Sequence, residues 1–161
     1  MNIVIANRQR TRKINLRLLE QITGDLLADL KIENAELGIN LVAAPEMISL
    51  NETFLQHEGL TDVITFDYAE KLKAESGRRK CLHGELFVCV DEAIIQAKKF
   101  RTSWRAEMVR YVVHGVLHLL GHDDMRAAAR RRMKREENRL SRALSRRFSL
   151  AQPGRAVKLS G

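Results

Sequence analysis

The hydrophobic patterning of this 161-residue chain predicts one compact α+β domain, a mixed sheet of about four strands covered by about five helices. Three observations carry that expectation. Segments of strand period and segments of helix period are interspersed along the chain, the pattern of a helix-covered sheet. The middle strands have short connections, compatible with some antiparallel pairing, so a mixed sheet is preferred to a doubly wound one. The length suits one ordinary domain, with no internal repeat and no interior linker.

Taken in order, Ile3 to Ala6 is a short β-prone run. Leu18, Ile22, Leu26 and Leu30 then lie on one helical stripe between Ile14 and Leu30. Leu37, Ile39 and Leu41 alternate with Glu36, Gly38 and Asn40, the period of a strand with one buried face, until Pro45 breaks the run. Met47, Leu50 and Phe54 are spaced for a short helix from Glu46 to about Gln56, and DVITFD at 62–67 returns to β-branched and aromatic residues. KLKAESGRRK at 71–80 reads as a loop. GELFVCV at 84–90 reads as a strand, and Asp91 is placed to cap the helix carrying Ile94, Ile95, Ala97 and Lys98. Between Ala106 and Leu120 apolar residues surround nearly the whole helix, as in a buried central helix, and Gly121 stops it. From Met125 to Phe148 a further helix carries Ala129, Met133, Leu140, Leu144 and Phe148 as its stripe. The expected division is a domain at 1–147 and a basic flexible tail at 148–161.

Composition narrows the class. Apolar residues make up 45% of the chain, yet no stretch approaches the ~18 uninterrupted apolar residues of a membrane helix. The first residues lack a hydrophobic segment long enough for a secretory signal, so cytoplasmic residence is expected. Cys81 and Cys89 lie in one strand with no CxxC, which speaks against a disulfide framework and makes both packing residues. The formal charge of +8 is unevenly placed: the chain before Arg126 balances to −2, and the part from Arg126 onward to +10. Such a segment, with Arg130, Arg131, Arg132, Lys134 and Arg135 at its densest, can follow a phosphate backbone. It is expected to act as an arm that binds a polyanion electrostatically, away from the active site, with salt-sensitive binding lost on truncation before Arg126. The bland reading is a solvated amphipathic helix whose stripe packs on the body while its arginines face water, and both readings can hold at once.

The window HGVLHLLGHDD, residues 114–124, carries the chemistry. His114 and His118 are four apart on a helix, so their rings leave the same face and can bind one cation. Gly121 can take the left-handed conformation that turns the chain back and brings a third group to the same ion, as on a zincin-like metal helix. Asp124 is the expected third ligand and His122 its rival, while Asp123 or Asp124 could instead cap the next helix.

This window, with LNETFLQHEGLTDVITF at 50–66 and GELFVCV at 84–90, resembles the YbeY family of bacterial endoribonucleases, over residues 1 to about 147. The resemblance implies one metal ion, usually zinc, held at His114, His118 and residue 124. It also implies cleavage of single-stranded RNA, a role in maturation of the 3′ end of small-subunit ribosomal RNA and in ribosome quality control, and the ribosome or its associated proteins as partners. Two departures stand out. The family's usual third histidine is Asp124 here, which keeps ligation but lowers the net charge of the site and weakens the ion as a Lewis acid. The arginine that many members carry after the aromatic of the LNxxF segment is Leu55 here, with Arg78, Arg79 and the tail arginines as candidate substitutes. His57, two residues on, is a candidate proton donor or phosphate contact, or a plain surface histidine.

Two other readings follow from the same residues. A ribosome-associated binding protein with a structural metal and lapsed nuclease activity is motivated by Leu55. A metalloprotease is motivated by the histidine spacing, but the glutamate that would act as its base is Gly115, and neither Glu85 nor Glu107 can be assigned that role from sequence.

Overall fold

The computed structural model describes residues 1–55, 61–69, 81–122 and 124–150. The loop expected at 71–80, His57, Arg78, Arg79, Asp123, the side chain of Leu55 and the chain beyond 150 lie outside the described residues. Strands β1 (Asn2–Asn7), β2 (Asn34–Val42), β3 (Val63–Asp67) and β4 (Cys81–Cys89) form one sheet in the order β1-β2-β4-β3. Both β1 and β4 run parallel to β2, whereas β3 pairs antiparallel with β4, Thr65 opposite Leu86. The sheet is therefore mixed, as the short connections of the middle strands predict. Among the described residues five helices accompany it: α1 (Leu16–Asp29), α2 (Ala44–Leu50), α3 (Val90–Phe100), α4 (Trp104–Leu119) and α5 (Ala127–Arg147). A turn of π-helix, Asn51–Leu55, prolongs α2.

Local chemistry sets the helix starts. Asn15 accepts from the Leu18 N–H at the start of α1, and Ser103 accepts from the Arg105 and Ala106 N–H groups at the start of α4. Asp91 does not cap its own helix, contrary to expectation. Strand β4 runs straight into α3, so Asp91 falls inside the first turn, and its carboxylate instead accepts from the Ala44 N–H at 2.7 Å. It thus caps α2, whose own cap position, Ala43, has no side-chain acceptor.

One face of the sheet is covered. Ala35, Leu37, Ile39 and Leu41 of β2 and Leu82, Leu86 and Val88 of β4 pack into one cluster with α1, α4 and α5. A smaller cluster of Val42, Met47, Ile64 and Cys89 lies under α2 on the other side. The expectation that both cysteines pack is half right: Cys81 and Cys89 share a strand face, but α2 covers only the Cys89 end, and Cys81 is exposed. The basic segment packs by the stripe read from its sequence: α5 buries Met133, Leu140 and Leu144 in the main core, so truncation before Arg126 would remove part of that core as well as the charge. Leu150 is buried as well. Among the described residues no helix is long and apolar enough to cross a membrane.

Helix α4 lies so close to the sheet that glycine is required beneath it. A Cβ at Gly84 would stand 2.7 Å from the Phe66 carbonyl oxygen and 2.7 Å from Leu119 Cδ2. Gly84→Ala is expected to cost about 1–3 kcal/mol, read as a lowered denaturation midpoint. An unchanged midpoint would show that the strand can move aside freely.

Candidate metal centre

Helix α4 is buried on most of its circumference, from Met108 and Val109 round to Leu117 and Leu119. Arg110, His114 and His118 lie on the stripe left partly open. The Nε2 atoms of His114 and His118 are 3.1 Å apart, as their spacing of one helical turn predicts. Gly121, at φ +100°, ends the helix in a left-handed residue; its N–H bonds the His118 carbonyl, and the His122 N–H bonds that of Leu117. Those two bonds are the Schellman pattern, and they turn the chain back over the last turn of α4. Asp124 Oδ2 thereby comes to 3.6 Å from His118 Nε2. It does not cap α5, whose cap position is Arg126.

Among the described residues the group that could share an ion is His114, His118 and Asp124, with one donor atom from each inside 4.8 Å. His122 lies elsewhere, lining a separate cavity with Arg126, Ala129 and Arg132. The geometry fits a tetrahedral ion: bonds of about 2.0–2.1 Å put neighbouring donors about 3.3–3.4 Å apart, and the separations of 3.1 and 3.6 Å bracket that value.

Behind His114 stands a residue that the sequence reading missed. Glu137 is 4% exposed, and its Oε1 lies 2.6 Å from His114 Nδ1. Its other oxygen accepts from Arg110 Nη1 at 2.9 Å and Lys134 Nζ at 3.1 Å. Burial alone would raise this carboxyl, but the bonds from His114, Lys134 and Arg110 outweigh it and hold the group down to about 2. An ionised carboxylate only accepts, so Nδ1 of His114 carries the proton and Nε2 presents its lone pair to the site. The signal was in the sequence: Glu137 falls four residues after Met133 and three before Leu140, a carboxylate on the buried stripe.

The centre opens into a cavity of about 770 Å³ between α3, α4 and α5. Of the basic residues singled out from sequence, Arg130 and Lys134 line it one helical turn apart, and Arg131, Arg132 and Arg135 do not. Arg147 is engaged elsewhere, bridging to Asp25 and Asp29 of α1 at 3.0 and 3.3 Å. Gly115, the position a protease base would need, faces the sheet: a Cβ there would lie 2.7 Å from Leu86 Cδ2. Glu85 bonds Asn40 and Tyr68, and Glu107 lies two helical turns from His114 along the cavity. Among the described residues no carboxylate therefore stands in the position the protease reading requires.

A family profile described as Endoribonuclease YbeY matches residues 4–145. Among curated relatives, the Endoribonuclease YbeY of Finegoldia magna is 31% identical over 141 residues, covering 85% of this chain and 90% of its own length. That of Chlorobium phaeovibrioides is 39% identical over 98 residues, 61% of each chain. That of Myxococcus xanthus is 35% identical over 124 residues, 77% of this chain and 42% of that protein. The chain thus spans less than two thirds of the length of the latter two. The solution structure of TM1509 from Thermotoga maritima superposes with a TM-score of 0.65 at 22% identity over 92% of both chains, a likeness of fold. The chain belongs to the Endoribonuclease YbeY family.

Proposed function

We propose that this protein is a metal-dependent endoribonuclease that cuts single-stranded RNA, acting in the cytoplasm on the 3′ end of small-subunit ribosomal RNA and in ribosome quality control. The observation that carries the proposal is the convergence of His114, His118 and Asp124 at a cavity whose α5 wall presents Arg130 and Lys134. The names of the relatives support the reaction class. The donors, two imidazoles and a carboxylate, suit zinc. When bound, such an ion supplies Lewis acidity toward a phosphodiester oxygen and activates water.

The protein's own groups do the rest. Glu137 fixes the tautomer and orientation of His114, and Arg130 and Lys134 meet the phosphates of the strand. Among the described residues the group holds three donors, one fewer than closes a tetrahedral structural site, which favours an open catalytic position over a purely structural metal. Removing the metal with a chelator is expected to abolish cleavage of single-stranded RNA, and adding back zinc or manganese to restore it. Cleavage that persists in metal-free protein would overturn the proposal.

A further inference from the structure

The walls of the cavity differ in chemistry. Arg130 and Lys134 make the α5 side cationic, whereas α3 and the far end of α4 bring acceptors, the Arg110 guanidinium between them being engaged by Glu137 and Asn138 of α5. On α3, Glu92, Gln96 and Phe100 recur at intervals of four and all line the cavity; on α4, Glu107 and Tyr111 share the stripe that ends at His114, and Asp62 adds a third carboxylate. Phe100 is 61% exposed, with the Lys99 ammonium 5.5 Å from its ring centroid. Tyr111 is only 4% exposed, yet its hydroxyl has no hydrogen-bond partner among the described residues. A buried hydroxyl left unpaired costs free energy until a ligand supplies a partner. Burial and the nearby Glu107, Asp62 and Glu92 carboxylates hold that phenol well above its usual range, so it keeps its proton.

This chemistry selects among occupants. Phosphate is repelled by three carboxylates. A single cation is poorly served, because Asp62, Glu92 and Glu107 do not form a group converging on one point. A planar, uncharged ligand rich in N–H donors fits both constraints. Gln96 donates its amide to Glu92 at 2.7 Å, a bond that engages its N–H and not its oxygen, so the wall gains a further acceptor. Along α4, Glu107 lies seven residues from His114, about 10 Å at 1.5 Å per residue, so a phosphate at the metal end leaves its base at the acidic end.

Resting on the nuclease reading above, we propose that this wall is a nucleobase subsite that selects guanine. Phe100 stacks an unpaired base, the Glu92 and Glu107 carboxylates accept from its adjacent N1–H and N2–H groups, and the Tyr111 hydroxyl donates to its O6. Adenine and cytosine offer one amino group each, and uracil turns carbonyl oxygens toward the carboxylates.

The test uses fluorescein-labelled nine-residue oligouridylates with a single central G, A, C or U. Their binding is read by anisotropy with metal-stripped protein, and cleavage is mapped with metal-loaded protein. The G-containing strand is expected to bind about tenfold more tightly than all-U, well within what a bidentate base contact supplies. The double variant Glu92→Gln, Glu107→Gln should collapse that ratio to about one. Phe100→Ala, at an exposed position, should weaken binding of the G strand at least about fivefold, and it keeps the test alive if the double variant does not fold. Equal affinities for all four strands, or a G preference that survives both variants, would overturn the subsite alone. RNA neither bound nor cut would overturn the nuclease reading and the subsite with it.

Discussion

His114→Ala is expected to yield a folded protein that holds no stoichiometric metal at this site and cuts single-stranded RNA no faster than the metal-stripped wild type. The loss follows from geometry: His114 is the donor whose Nε2 lies 3.1 Å from that of His118, and removing it leaves His118 and Asp124, a pair too few to hold an ion firmly. The fold survives for separate reasons. Alanine suits the middle of a helix, and Glu137 keeps its bonds to Arg110 and Lys134 when the imidazole is gone. The cost is one charge-assisted hydrogen bond, about 1–2 kcal/mol, a visible shift in midpoint but well short of unfolding a domain of this size. Thermal denaturation, metal analysis and an RNA cleavage assay on one preparation read all three outcomes. Wild-type cleavage by metal-free His114→Ala protein would refute the assignment.

The second large effect is expected at Glu137, where two substitutions separate two roles. Glu137→Gln keeps the shape but loses the charge that fixes His114, and metal affinity should fall about 10- to 100-fold, with cleavage recovering as metal is added in excess. Glu137→Ala also strips Arg110 and Lys134 of their shared anion and empties a buried position, and it should destabilise the fold by about 2–4 kcal/mol. Competition titration against a chelating dye and urea denaturation measure the two quantities. An unchanged metal affinity in the glutamine variant would mean that His114 needs no support from behind.

What the sequence made legible depended on how local each signal was. Alternation in β2 and the stripes of α1 and α5 exposed the elements because each period is written within one segment. The histidine pair was legible for the same reason, being one turn apart on one helix, and Gly121 announced the reversal that brings Asp124 round. Contacts between segments were harder. Asp91 looked like the cap of its own helix because nothing local says that α2 stands beside it with a bare Ala44 N–H. Glu137 was counted among the charges of a basic segment, although its place between Met133 and Leu140 put it on the buried stripe. Counting charge by region moved the surplus of +8 onto the segment after Arg126 and away from the active site. The fold returns part of it, because α5 packs against α4 and sets Arg130 and Lys134 in the cavity that the candidate metal centre opens into.

Anomalous diffraction from metal-loaded crystals, recorded at the zinc edge, would locate the ion proposed to sit between the two histidines of α4 and the aspartate beyond Gly121. One strong peak is expected about 2.0–2.2 Å from His114 Nε2, His118 Nε2 and a carboxylate oxygen of Asp124. A peak coordinated by His122 in place of Asp124, or a peak away from the His114 and His118 rings, would contradict it.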